Sequence, residues 1–149
     1  MDKNLLLFSL FRLSKELHKQ SAPDFEALGL YRGQPHLINI LREKEGKTMG
    51  EIASRVRSEP ATLSKMVKRM EQNGFISRRV DAEDHRITRI YLTEKGRSLG
   101  KKIDEVHRRF DVALRAPLTE EEQSTLEQLL TKIFHTLKEE EENREEKKG

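Results

Sequence analysis

Residues 58–96 read SEPATLSKMVKRMEQNGFISRRVDAEDHRITRIYLTEKG, and the periodicities within this stretch decide the fold. Leu63, Met66, Val67 and Met70 recur at helical spacing until Asn73-Gly74, a pair suited to ending a helix. Ser58 is the candidate N-cap, and Pro60 is tolerated in the first turn, where its missing N–H costs nothing. From Phe75 the period changes. Phe75-Ile76 and residues 87–92 are β-branched and aromatic runs, which predict strands. Between them Asp81-Ala82-Glu83-Asp84-His85-Arg86 is wholly turn-like, so the two runs predict a two-stranded hairpin with a charged tip.

Working outward, Thr48-Met49-Gly50-Glu51 has the form of a capping box, opening a helix of about two turns with Ile52 and Val56 inward. The turn to the next helix is very short. Helix, short turn, helix and hairpin together give a winged helix-turn-helix, whose second helix enters the major groove of DNA. Residues 34–44, with Leu37, Ile38, Ile40 and Leu41, predict a further helix that stops at Gly46. Before it, Leu6, Leu10, Leu13 and Leu17, widened by Leu7 and Phe11, predict a helix over 4–19, followed by a loop holding Pro23 and Gly29. After the hairpin, Thr93 caps a helix with Leu99, Ile103, Val106, Phe110 and Leu114 inward, and Pro117 stops it. A second capping box, Thr119 with Glu122, opens the last helix, striped by Leu126, Leu129, Leu130, Ile133, Phe134 and Leu137.

The expected fold is therefore mainly α with a small β-hairpin wing. Its DNA-binding domain is 31–101, helices in 1–30 and 102–140 serve dimerisation, and 141–149 is a charged, disordered tail. Long helices with so much uncovered apolar face need a second chain.

Composition narrows the function. The 149 residues are 34% hydrophobic and 37% charged, and the longest apolar run, residues 5–8, is far short of the roughly 20 needed to span a bilayer. No signal-peptide pattern is seen at the N-terminus, so the expected location is the cytoplasm. With no Cys, disulfides, Cys-zinc sites, thiol catalysis and thiol redox sensing are excluded. No Gly-rich phosphate loop, His pair at i and i+4 or nucleophile elbow is present, so neither an enzyme nor a cofactor is expected. Charge is segregated: residues 55–101 carry 12 Lys or Arg against 6 Asp or Glu, while residues 119–149 carry 5 against 10. A basic middle third points to an anionic partner there, with nucleic acid the commonest.

With the apolar stripe of the second helix inward, Thr62, Ser64, Lys65, Lys68 and Arg69 lie on its outer sides, suited to phosphates and base edges. Ser58, Ala61 and Thr62 would enter the groove first. At the wing tip a charge is not needed for folding, and Arg86 suits a narrow minor groove, with Asp84 orienting it through a charge-assisted bond. Arg78, Arg79 and Arg89 supply strand positions for phosphate contacts, and His85 stands beside them at the tip.

At this point residues 34–100 resemble the MarR family of transcriptional regulators. The matching residues are Gln34; Thr62-Leu63-Ser64 through Met70-Glu71-Gln72-Asn73-Gly74-Phe75-Ile76 with Arg78 and Arg79; Asp81; Asp84-His85-Arg86; and Leu92-Thr93-Glu94-Lys95-Gly96. The resemblance implies a homodimer with interlocked first and last helices, binding a pseudo-palindromic operator in double-stranded DNA, more as repressor than activator. It marks Arg86 as the wing-tip arginine and Asp84 as its partner. His85 departs from the pattern, since Arg or Lys is frequent there. The resemblance also implies a small-molecule effector, such as a phenolic or aromatic carboxylate, with Arg12, Tyr31, His36 and His107 on segments that line its pocket.

Two alternatives remain open. One is a metal-responsive regulator of the same fold: His36 and His107 resemble in position two histidine ligands of zinc-responsive members, with Asp111 a turn later, although Ile103 stands where those members carry another His. The other is a DNA-free dimeric adaptor, which salt dependence would distinguish.

Overall fold

Described over residues 5–56 and 58–147 by a computed structural model, the chain runs α1 (Leu6–Ala27), α2 (Gln34–Glu43), β1 (Lys47–Thr48), α3 (Met49–Val56), α4 (Pro60–Gln72), β2 (Ile76–Val80), β3 (Thr88–Leu92), α5 (Glu94–Arg115) and α6 (Glu120–Glu146). Both predicted capping boxes form. At α3 the Thr48 N–H donates to Glu51 Oε2 at 2.7 Å and the Glu51 N–H to Thr48 Oγ1 at 3.2 Å. At α6 the Thr119–Glu122 pair repeats this at 2.8 and 3.2 Å, so each box satisfies two otherwise orphaned donors.

α1 corrects the sequence expectation, because it runs through Pro23 to Ala27 instead of ending near residue 19. Proline removes one helical hydrogen bond, but Phe25 and Leu28, beyond it, pack against the core, and that burial outweighs the loss. The helix ends where Leu30 N–H reaches Phe25 O and Gly29 N–H reaches Glu26 O, both at 2.9 Å. α4 ends identically, with Phe75 N–H on Met70 O and Gly74 N–H on Glu71 O, both at 2.9 Å. Gly74 sits at φ 75°, a conformation that costs an L-residue with a Cβ but not glycine. Each terminus thus turns a buried apolar residue, Leu30 or Phe75, back into the core.

That core joins Leu37, Ile38 and Leu41 of α2, Ile52 of α3, Leu63, Val67 and Met70 of α4, Ile76, Ile90 and Leu92 of the sheet, and Leu99 and Ile103 of α5. The start of α4 differs from expectation. Glu59, not Ser58, is its N-cap and makes no side-chain cap bond, because the residue before a proline is driven to extended backbone, here φ −56° and ψ 138°. The wing is also larger than a hairpin. β2 and β3 pair antiparallel from Ile76↔Leu92 to Val80↔Thr88, and β1 adds Lys47↔Ile90 and Thr48↔Arg89 on the far side of β3.

The end of β3 is tied to the end of α4. Thr93 N–H donates to Phe75 O at 3.0 Å, its hydroxyl to Gly74 O at 2.5 Å, and Gly96 N–H donates to Thr93 Oγ1 at 3.0 Å. Thr93 therefore caps α5 while holding the turn that ends α4. A Cβ on Gly96 would lie 2.0 Å from Phe75 O, which is why the first turn of α5 carries glycine here.

The chain's two compact units meet after His107, inside α5. Along α5 Leu99, Ile103 and Val106 are buried, Phe110 is half-buried and Leu114 is exposed. Residues 141–146, expected to be disordered, are helical. Glu, Lys and Arg are good helix formers, and Arg144 pairs with Glu140 at i, i+4 across 3.7 Å; residues 148–149 lie outside the described residues. No helix among the described residues is long and apolar enough to cross a membrane.

Candidate nucleic-acid interface

α4 is amphipathic in the sense the sequence requires. Leu63, Val67 and Met70 are buried, while Ala61, Thr62, Ser64, Lys65, Lys68 and Arg69 are all exposed, and Ser58 is half-buried just before the helix. The exposed set combines a small, close-approach N-terminal turn with hydroxyls and cations further along. Such a surface offers hydrogen bonds to base edges and charge to phosphates. Arg69 has a ring beside it. Its guanidinium lies 4.1 Å from the centroid of the Tyr31 ring, a cation–π contact that favours this placement at the surface.

The wing tip is organised around Asp81, a role that sequence reasoning missed. Asp81 Oδ1 accepts the N–H groups of Glu83 and Asp84, each at 2.9 Å, and its own N–H donates to Ile87 O at 2.8 Å. Its other oxygen takes Nε of Arg89 at 2.5 Å. The Arg89 guanidinium beside it, with the two backbone N–H donors, pushes the Asp81 carboxyl down to about 2. The available signal was residue type alone, since Asp at the start of a turn accepts from N–H groups two residues on.

On that frame Asp84 holds Arg86. Asp84 Oδ1 accepts Arg86 Nε and Oδ2 accepts Nη2, both at 3.0 Å, and Oδ1 also takes the Arg86 N–H at 3.1 Å. This is the orienting pair expected from the sequence. It lowers the Asp84 carboxyl and raises Arg86, chiefly through the side-chain bond between them. The Arg86 side chain remains 90% exposed, so the cation is aimed without being covered. His85 is exposed next to it.

The three strand arginines have three different fates. Arg79 faces Arg89 directly across the β2–β3 ladder, a repulsive placement for two cations. The sheet relieves it on both sides: Arg79 lies 4.9 Å from the Tyr91 ring centroid, and Arg89 binds Asp81 and donates to Gly46 O at 2.9 Å. Arg89 thereby holds the wing together, through Asp81 on one side and the Gly46 carbonyl on the other. Arg78 is on the opposite face and pairs with Glu71 of α4 at 3.0 Å, so part of its charge is already neutralised. Arg79 stays exposed, with the Tyr91 ring beside it and no carboxylate ion pair among the described residues.

The effector candidates are not drawn together. Arg12, Tyr31, His36 and His107 are all exposed, and among the described residues no hydrogen bond, ion pair or ring contact joins any two of them. Tyr31 stacks on Arg69 of α4, and His107 meets the Phe25 ring edge-on at 5.7 Å. Among the described residues no group of three or more His, Asp or Glu is placed to hold a metal ion. Asp111 pairs instead with Arg115 at 2.8 Å.

The MarR family model matches residues 30–88. The organic hydroperoxide resistance transcriptional regulator of Bacillus subtilis (strain 168) is 36% identical over 100 residues, spanning 67% of this chain and 68% of that protein. Among solved structures, the transcriptional regulator SlyA matches with a TM-score of 0.80 at 29% identity, covering 91% of this chain and 95% of that one. A variant of S. aureus MepR bound to an oligodeoxyribonucleotide matches with a TM-score of 0.61 at 28% identity, covering 90% of this chain and 99% of that one. With the recognition helix and wing in this order and relatives that span most of its length, the chain belongs to the MarR family of winged-helix transcriptional regulators.

Proposed function

We propose that this DNA-binding regulator acts as a homodimeric repressor in the cytoplasm, occupying a pseudo-palindromic operator with one winged module on each half-site. The observation that carries this reading is the pairing of an exposed, polar and basic face on α4 with a wing arginine, Arg86, already aimed by Asp84. Ser58, Ala61, Thr62 and Ser64 meet base edges; Lys65, Lys68, Arg69, Arg78, Arg79 and His85 meet the phosphate backbone; Arg86 enters the minor groove.

Residues 31–101 form the reading module, and the helices in 1–30 and 102–140 pair two chains. The exposed Leu6, Phe11 and Leu13 of α1, and Leu129, Phe134 and Leu137 of α6, favour that assignment, because apolar surface of this extent is seldom left to water. Regulation is geometric: a small-molecule effector that favours one angle between the modules changes the distance between recognition helices, which must match half-sites about 34 Å apart. An aromatic carboxylate reaching Arg12, Tyr31, His36 or His107 suits the cation and rings available. The protein has no catalytic role in this reading.

Wild type and Arg86→Ala are titrated against a pool of genomic fragments at two salt concentrations, and the recovered DNA is sequenced. Enrichment of a two-fold-repeated site by wild type, falling off steeply with salt and lost in the variant, is the expected result. Absence of enrichment, or an identical variant, overturns it and favours a DNA-free adaptor.

A further inference from the structure

Arg42, in the last turn of α2, reaches α5 at two consecutive turns. Its Nη1 and Nη2 donate to the two carboxylate oxygens of Asp104 at 2.9 and 2.8 Å, a bidentate fork. Nη1 also donates to Gly100 O at 3.3 Å and to Asn39 Oδ1 at 3.2 Å. The guanidinium fits only because residue 100 is glycine. A Cβ there would lie 2.6 Å from Arg42 Nε and 2.8 Å from Cζ. Nothing in helix formation asks for glycine at this position, and in a helix interior it is a poorer residue than alanine. The chain accepts that cost where it makes room for a charged side chain crossing from another helix.

The location gives the fork its meaning. Leu99 and Ile103 hold α5 to the core by apolar contact, which resists separation but fixes rotation and tilt weakly. A planar bidentate pair fixes both, since its two parallel bonds tolerate little angular error. Beyond residue 107 the same helix continues to Arg115. The geometry points to Arg42, Gly100 and Asp104 as the positioning device that sets the direction in which α5 leaves the winged module, and with it the separation of the two recognition helices in a dimer. This inference rests on the dimeric DNA-reading function proposed above. Arg42 touches no DNA in this scheme; it acts through α5.

Gly100→Ala is the informative variant. Its methyl group displaces only the far end of a flexible side chain, and alanine is the better helix former, so the module keeps its fold while the fork is expelled. Wild type, Gly100→Ala, Arg42→Ala and the double variant are each used to select from a duplex library carrying two randomised half-sites at varied spacing. Binding of each to a duplex with a single half-site is then measured. The expected result is that both single variants recover the wild-type half-site sequence with a broadened or shifted spacing. Affinity at the wild-type spacing falls about 5-fold or more, single half-site affinity stays within about twofold, and the double variant matches Arg42→Ala, because both changes remove the same fork. Unchanged spacing and affinity overturn the inference, as does an equal loss on single and paired half-sites, which indicates damage to the module. Failure of wild type itself to select a repeated site removes the dimeric reading, and the inference with it, and is recognised because it precedes any variant.

Discussion

The central module and the terminal helices are written in the same apolar code and come to opposite ends. In α2, Leu37, Ile38 and Leu41 are fully buried, whereas in α6, at comparable spacing, Leu126, Leu129 and Leu130 remain 45%, 53% and 45% exposed. α1 and α6 contain no buried residue among those described. Helical periodicity specifies which face is apolar; it says nothing about what covers that face. In the module the cover comes from the same chain, and each large side chain buried there contributes about 1.5–3 kcal/mol. For the terminal helices that contribution awaits another surface; in the proposed dimer a second chain supplies it, which makes the stability of the ends depend on protein concentration.

The contrast can be broken most forcefully by truncation inside the module. Leu41→Ala removes a fully buried side chain and is expected to cost about 2–5 kcal/mol in denaturant unfolding. Leu130→Asp on α6 is expected to leave that module-level signal in place and to shift the sedimenting species from dimer to monomer. If Leu130→Asp unfolds the chain as Leu41→Ala does, the two regions are not distinct in the way described.

Within the module, the wing sharpens the comparison between aimed and structural arginines. Arg86→Ala is expected to weaken operator binding by about 1–3 kcal/mol, roughly 5- to 150-fold, with thermal stability unchanged. Arg89→Ala should instead lower stability, since it strips the ion pair from Asp81 and the donor from Gly46 O. Asp81→Asn tests the same frame by pH. The Asp81 carboxyl is held at about 2 in the folded protein, below the ordinary value near 3.9, so its stabilisation is fully present above the ordinary value. It is lost as pH falls through the folded value. The stability difference between wild type and Asp81→Asn is therefore expected to be constant above about pH 5 and to close between about pH 4 and pH 2. A difference that closes near neutrality would deny Asp81 this role. The smallest effect is expected at Lys65: replacing it by Ala should reduce the salt slope of DNA binding by about 0.9 with little change in sequence preference.

Much of this organisation was legible in the residues. Thr48 with Glu51, and Thr119 with Glu122, announced two helix starts because a capping box is a local chemical pattern, independent of tertiary context. The recognition helix was equally plain, since Leu63, Val67 and Met70 divide it into two faces. What could not be read depended on partners distant in the chain. β1 is two residues long, too short for any periodicity, and exists only because β3 is beside it. Pro23 was an apparent stop until Phe25 and Leu28 found the core. Arg78, Arg79, Arg86 and Arg89 are one residue type in one short stretch. Arg86 could be read as an aimed cation from Asp84 beside it, but only the folded sheet, with Arg79 opposite Arg89, sorts the other three into a pair with Glu71, a stack on Tyr91 and a clamp. The same limit applied to Arg42, whose partner Asp104 lies 62 residues away.

The bonds of Thr93 form a mechanical joint. Because that one residue begins α5 and grips Gly74 and Phe75 at the end of α4, there is no slack between the end of α4 and the start of α5. A torque applied to α5 is delivered to the foot of α4 over the width of a single residue, as through a pinned joint. Lengthening this joint with an inserted glycine would leave both helices intact and disconnect them as levers.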